Sequence, residues 1–206
     1  MKNYPIAETF FSVQGEGCHC GRRAHFIRLF GCSVKCKWCD SKLAWSGTPT
    51  EIKSAEELAD EAKKSGAEFV VITGGEPCMH NLLPLLACLA ERGILAHLET
   101  SGVCKIDEAE GSKFSWVALS PKLFHKPLKE SLERADELKL IVSDLSEMDE
   151  YAELVKDASN AKWIWLHPEW SKAADAKLLD GLCEFVKQNG GKYRVGWQMH
   201  KCYFVR

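Results

Sequence analysis

Seven short runs rich in β-branched and aromatic residues punctuate this chain, at 25–30, 69–73, 94–100, 116–120, 138–142, 163–167 and 194–198. Runs this continuously apolar predict strands covered on both faces; half-exposed strands would alternate. Between them the period changes to that of a helix. In "SAEELADEAKKSG" apolar residues recur at helical spacing, Ser54 and Glu57 form a capping box, and Gly66 ends the pattern. The stretches "NLLPLLACLAERG", "EMDEYAELVKDAS" and "KAADAKLLDGLCEFVKQNGG" read likewise as helices. Alternating strands and helices imply a parallel sheet with right-handed crossovers. A closed eight-unit barrel takes roughly 250 residues, so 206 residues predict an α/β fold of about six units, an open, partial (β/α)6-type barrel. No repeat, low-complexity tract or Pro/Gly-rich linker interrupts the pattern, and the expectation is a single domain over 1–206.

In such folds chemistry collects beyond the carboxyl ends of the strands. "TGGEP" (73–77), "ETSG" (99–102), "SPK" (120–122), "HPEW" (167–170) and "QMHK" (198–201) each follow one of the apolar runs, and Cys32, Cys36 and Cys39 follow the run at 25–30. One rim of the fold therefore gathers the unusual residues, and the active site is expected there.

Composition narrows the function classes. A net charge of −2 argues against a general nucleic-acid binder. The first 50 residues nevertheless hold seven Lys or Arg against three Asp or Glu, which suits a basic rim that docks an acidic partner as well as it suits a plain solvated surface. The opening "MKNYPIAETF" lacks a charged start followed by an apolar stretch, and no apolar run approaches the roughly eighteen residues of a membrane span. A soluble cytoplasmic protein is expected. Ten cysteines then read as reduced thiols, some of them metal ligands.

"GCSVKCKWCD" (31–40) places three of those cysteines within eight residues as CxxxCxxC. A structural zinc site or an electron-transfer cubane takes four thiolate or imidazole ligands. No second CxxC exists, and Cys18 and Cys20, one residue apart, have poor spacing for zinc. Three cysteines in one loop are what a 4Fe-4S cluster needs if one iron is to stay open to a ligand. The bare spacing still leaves a zinc-stabilised binding module and an electron carrier in contention.

CxxxCxxC after a strand, an aromatic residue (Trp38) just before the last cysteine, and "GGEP" after the next strand resemble the radical S-adenosylmethionine enzymes. That resemblance implies S-adenosylmethionine chelating the fourth iron, Trp38 near its adenine, and Gly75 in the turn that meets its amine. It also implies an outside electron donor, a flavodoxin or ferredoxin. A glycyl-radical-enzyme activase shares these features. Beyond the cysteines, "ETFFSVQGEG", "HFIRLFGC", "VVITGGEPCMH", "LETSG", "VALSPKL", "ERADELKLIV" and the terminal "QMHKCYFVR" resemble the 7-carboxy-7-deazaguanine synthase family over nearly the whole chain. The implied protein is a homodimeric lyase that contracts the ring of 6-carboxy-5,6,7,8-tetrahydropterin with loss of ammonia, assisted by Mg²⁺, on the way to queuosine.

The same resemblance assigns residues. Val13, Gln14, Gly15, Glu16, Arg28, Thr73 and His200 correspond to substrate contacts; Trp38, Gly75, Ser120, Pro121, Lys122, His167 and Pro168 to S-adenosylmethionine contacts; Glu99 to a polar catalytic contact or proton acceptor; and the α-carboxylate of Arg206 to a group receiving a substrate amine. An amide and a carboxylate at Gln14 and Glu16 suit a pterin edge of alternating donors and acceptors, and a guanidinium at Arg28 suits a carboxylate. Ser41 stands where the family carries threonine, keeping the hydroxyl for Mg²⁺ but losing the stiffening methyl. His167 replaces a usual glutamine, and Met199 a usual threonine.

Overall fold

The protein is described from a computed structural model, covering residues 2–205. Strands β1 (Asn3–Val13), β2 (Arg23–Leu29), β3 (Glu51–Ser54), β4 (Phe69–Gly74), β5 (Leu95–Thr100), β6 (Trp116–Leu119), β7 (Glu137–Val142), β8 (Trp163–Pro168) and β9 (Tyr193–Val195) form one sheet. Their order is β3-β1-β2-β4-β5-β6-β7-β8-β9. β1 runs antiparallel to β2 and β3, and every other neighbouring pair is parallel. The sheet does not close, so the α/β architecture with an open sheet is as expected.

Helices α1 (Ala55–Ser65), α2 (Leu83–Glu91), α3 (Lys129–Arg134), α4 (Glu147–Asp157) and α5 (Ala176–Asn189) connect parallel strands, and a short α6 (Met199–Tyr203) follows β9. α1 starts and stops as its sequence predicts: Ser54 and Glu57 complete the capping box, and Gly66 takes φ +69 at the end. α5 begins later than its apolar pattern, because the Asp175 carboxylate accepts from Lys177 N and Leu178 N and so caps the first turn there.

The helices bury one face of the sheet. Leu58, Leu85 and Leu89 pack against Ile27, Val70, Ile72 and Leu98, and Leu132, Tyr151, Leu154 and Leu178 against Leu138, Leu140, Ile164 and Leu166. Side chains of alternate parity point to the other face. At the amino ends of the strands that face is plugged by aromatics: Phe10 stacks on Phe26 at 4.8 Å and Phe69 on His97 at 4.0 Å, with the His19 ring 4.4 Å from His97. At the carboxyl ends it turns polar. Arg28 near the end of β2 pairs in register with Thr73 near the end of β4, and Glu99 stands near the end of β5. The strands are thus covered on both faces, but on the second face by an aromatic plug and loops.

β1 and β3 were not among the predicted strands. Tyr4 and Ile6 of β1 are wholly buried while Phe11 is exposed, so this strand lacks the continuous apolar run of the central ones. The cysteine loop consequently follows the second strand. The run at 194–198 is strand only to Val195. No helix among the described residues is long and apolar enough to cross a membrane.

Candidate active site

Two cavities open side by side at the carboxyl ends of the strands. The first is walled by Cys32, Cys36, Cys39 and Trp38 on one side and by Gly75, Ser120, Lys122 and Pro168 on the other. The second is walled by Val13, Gln14, Gly15 and His200. Glu16, Arg28, Ser41 and Glu99 line both and form the wall between them.

The cysteine loop leaves β2 through Gly31 at φ +114. Burial pushes the Cys36 thiol up, opposed by the Lys122 ammonium. Trp45 Nε1 donates to Cys39 Sγ at 3.4 Å, and the Lys35 amide to Cys32 Sγ at 3.5 Å. Among the described residues no three His, Cys, Asp or Glu gather as ligands of one metal ion. Three soft thiols in one loop, all facing one cavity, suit instead a cluster whose irons sit at separate corners. The glycines opposite have a reason of their own. A Cβ at Gly74 would strike Leu29 O, and one at Gly75 would strike Gly31 O and come within 2.7 Å of Cys32 Cβ. Their bareness lets the end of β4 close onto the start of the cysteine loop, besides exposing backbone to the cavity.

Lys122 reaches back along its own turn, donating to Ser120 Oγ at 2.6 Å and Ser120 O at 2.9 Å. Burial pulls its ammonium below the ordinary value, although the neighbouring Cys36 works the other way. Pro121 is buried and lines neither cavity. His167, assigned by resemblance to the cofactor, also lines neither. Its ring is wholly buried with both nitrogens lacking a protein partner, and it fills the space that a side chain at Gly196 would need. Burial lowers it to about 4. Pro168 lines the first cavity and His167 does not.

In the second cavity Gly15 has no Cβ because the His200 ring occupies that position, while Met199 N donates to Gly15 O at 3.0 Å. Arg28 is already ion-paired, Nε donating to Glu8 Oε1 at 2.9 Å, and still lines both cavities. Ser41 Oγ donates to Asp40 Oδ1 at 3.1 Å. Asp40 itself pairs with Lys201 at 3.0 Å; burial raises its carboxyl, but the hydrogen bond and charge of Lys201 and the Ser41 hydrogen bond together hold it below the ordinary value. Arg206 lies outside the described residues. Cys18 and Cys20 are both exposed, and Cys20 Sγ lies 3.7 Å from Met199 Sδ. No third ligand joins them among the described residues.

Three buried residues that the sequence reading passed over hold the site together. Lys139, from the middle of the "LKLIV" run, donates to Glu16 Oε2 at 2.9 Å and Glu99 Oε1 at 3.2 Å. Glu76 of the "GGEP" turn accepts from Thr100 Oγ1 at 2.6 Å and from Ser101 N and Oγ at 2.9 and 2.5 Å, tying β4 to β5. Glu137 accepts from Trp165 Nε1 at 2.7 Å and Cys18 N at 2.9 Å, anchoring the loop after β1. A signal for all three existed: charged residues inside apolar strands or turns must be paired.

The comparisons with known proteins agree with this geometry. Residues 26–143 match the family model of the radical SAM superfamily. The chain is 38% identical over 205 residues to the 7-carboxy-7-deazaguanine synthase of Synechocystis sp., covering 99% of this chain and 94% of that one. It is 34% identical to the 7-carboxy-7-deazaguanine synthase of Escherichia coli K12, covering 96% and 97%. The crystal structure of QueE from Escherichia coli superposes with a TM-score of 0.79 over 96% of this chain and 95% of that one, at 34% identity. The chain therefore belongs to the radical SAM superfamily and, within it, to the 7-carboxy-7-deazaguanine synthase family.

Proposed function

We propose that this chain converts 6-carboxy-5,6,7,8-tetrahydropterin to 7-carboxy-7-deazaguanine and ammonia, as a carbon–nitrogen lyase of queuosine biosynthesis. The observation that carries the proposal is the pair of adjoining cavities, one bearing the three cysteines and one bearing Gln14, Gly15 and His200, with Glu16, Glu99, Arg28 and Ser41 between them. A radical source and a flat substrate need adjacent, separately shaped chambers. Substrate equals product plus ammonia, so the reaction needs no net oxidant.

Cys32, Cys36 and Cys39 would hold a 4Fe-4S cluster, which with S-adenosylmethionine would supply radical chemistry to the adjoining chamber. Trp38, Gly75, Ser120, Lys122 and Pro168 surround that cofactor. In the second chamber Glu16 and Glu99 present acceptors to the pterin N–H groups, and Arg28 meets its carboxylate. Burial alone would raise the Glu16 carboxyl, but Lys139, His167 and Gln198 outweigh it and hold it well below the ordinary range. Thr73 Oγ1, 3.4 Å from Glu99 Oε2, fixes that carboxylate toward the wall. Glu99 is placed to move a proton at the reacting ring. Ser41, which lines both chambers, would supply a hydroxyl ligand to Mg²⁺. The protein acts in the cytoplasm, as one domain in each subunit of a homodimer, for which exposed Tyr203 and Phe204 offer apolar surface. An acidic flavodoxin or ferredoxin docks at the cysteine loop, where Lys35, Lys37 and Lys126 are exposed around the Trp38–Phe124 pair.

Anaerobic reconstitution tests the cofactor assignment: about four irons per chain without zinc, and S-adenosylmethionine cleavage driven by dithionite. Zinc uptake in place of iron would restore the binding-module reading, and a cluster that leaves S-adenosylmethionine intact would restore the electron carrier.

A further inference from the structure

Lys139 stands on the concave face of β7 with a side chain only 7% exposed, a position where an unpaired ammonium would be costly. Its two partners come from opposite parts of the chain. Glu16 is in the loop after β1 and Glu99 in β5, and each lines both cavities, whereas Lys139 lines only the first. Further donors reach the same carboxylates and leave each of them acceptor sites for a ligand: Gln198 Nε2 gives 2.8 Å to Glu16 Oε1, Gln14 Nε2 gives 3.1 Å to Glu99 Oε1, and Thr73 Oγ1 reaches Glu99 Oε2. Everything placed around these two acids treats them as acceptors.

We propose that Lys139 is a positioning residue for the reaction: by bridging Glu16 and Glu99 it keeps both as carboxylates, aimed into the wall between the cavities, so that this wall selects a ligand edge made of N–H donors. The proposal rests on the function proposed above for its ligand and on the structure alone for its charge arrangement. Without the ammonium, two largely but not wholly buried carboxylates, 13% and 23% exposed, share one site, and such a pair does not readily stay doubly ionised. One of them then takes a proton and becomes a donor, presenting the wrong pattern to the pterin. Other charged groups face Lys139 as well: Glu137 from its own strand, Lys122 from the turn after β6 and His167 from β8. Glu137 is committed to Trp165 and the Cys18 amide, and burial opposes charge on Lys122 and His167. Among the described residues neither donates to Glu16 or Glu99: Lys122 is bonded to Ser120, and both His167 nitrogens lack a partner.

The test uses the anaerobically reconstituted full-length enzyme, wild type and Lys139→Met, with Lys139→Arg as the conservative variant. In proteins labelled with ¹³C-carboxyl glutamate, infrared difference spectra across pH report glutamate protonation, and Glu16→Gln identifies the Glu16 band. In Lys139→Met the Glu16 band titrates at least about one pH unit higher than in wild type, and Lys139→Arg restores it. Product formation shows the same displacement: the acidic limb of kcat/KM moves up by a similar amount and activity recovers at high pH. An unmoved Glu16 band overturns the proposal, and so does an activity loss that is equal at every pH. If the wild type makes no 7-carboxy-7-deazaguanine, the proposed function fails, while the infrared shift still decides the role of Lys139.

Discussion

Gln198 Nε2 donates to Glu16 Oε1 at 2.8 Å across 182 residues of sequence. One hydrogen bond thus joins the last segment of the chain to the loop after β1, and it ends on a buried charged acceptor. A second donation from the same nitrogen reaches Asp40 Oδ2 at 3.3 Å, so Gln198 also spans to the cysteine loop.

Replacing Gln198 by leucine removes a hydrogen bond to a charged group, a change of roughly 1.5–3 kcal/mol. Gln198 lines the first cavity and its partner Glu16 lines both, so the KM for the tetrahydropterin rises at least about tenfold and S-adenosylmethionine cleavage without substrate also slows. Steady-state kinetics of both activities check this, and an unchanged KM would show that Gln198 does not position Glu16.

The Trp45 indole donates to Cys39 Sγ at 3.4 Å. A donor on a ligating sulfur favours the more negative, reduced cluster, so Trp45→Phe lowers its reduction potential, by roughly 40 mV for about 1 kcal/mol of lost hydrogen bond. Redox titration followed by electron paramagnetic resonance measures the shift. A potential that stays put or rises contradicts the assignment of Cys39 as a ligand with this partner.

Stability depends on pH through two imidazoles held neutral by burial, His97 at about 3 and His167 at about 4 against an ordinary 6.5. The unfolded chain gains their protons as pH falls through 6.5, and the folded chain does not. Stability is therefore full above that value and falls below it, until the folded-state groups titrate near 4 and 3. Between pH 7 and 5 each contributes a loss of about 2 kcal/mol. Urea unfolding of wild type and His97→Phe checks this: phenylalanine keeps the stack on Phe69, and the variant loses about 2 kcal/mol less over the same interval. Identical pH slopes would mean that His97 is protonated in the fold.

Ser41 lines both cavities, and among the described residues its Oγ donates to Asp40 Oδ1. Ser41→Ala abolishes Mg²⁺ stimulation of product formation, and Ser41→Thr lowers the Mg²⁺ concentration needed for half-maximal rate, because the β-methyl restricts the hydroxyl to fewer rotamers. Full Mg²⁺ stimulation in Ser41→Ala would place the metal elsewhere.

How much of this could be read beforehand follows from the physics of each element. β4 and β7 were legible because burial on both faces demands nearly unbroken apolar sequence, and α1 because its caps are local. β1 was not, since its partners β2 and β3 set its role and its burial is uneven. The resemblance transferred positions; the structure brings Glu16, Arg28, Ser41 and Glu99 to the wall between the cavities, with Thr73 on the first cavity and Gln14 on the second. His167, assigned to the cofactor by resemblance, lies with its ring against Gly196 and lines neither cavity. Lys139 sat unnoticed in an apolar run, although a buried lysine always requires a partner; only the three-dimensional fold identifies Glu16 and Glu99 as that partner.

The account is tested most directly by supplying the reconstituted enzyme with 6-carboxytetrahydropterin, S-adenosylmethionine, Mg²⁺ and dithionite, and counting 7-carboxy-7-deazaguanine and ammonia against 5′-deoxyadenosine. Equal amounts of deazaguanine and ammonia, exceeding 5′-deoxyadenosine, are predicted, because the reaction has no net oxidation to drive and S-adenosylmethionine is reformed. Accumulation of 5′-deoxyadenosine with no deazaguanine would contradict the substrate assignment and leave an activase as the better reading.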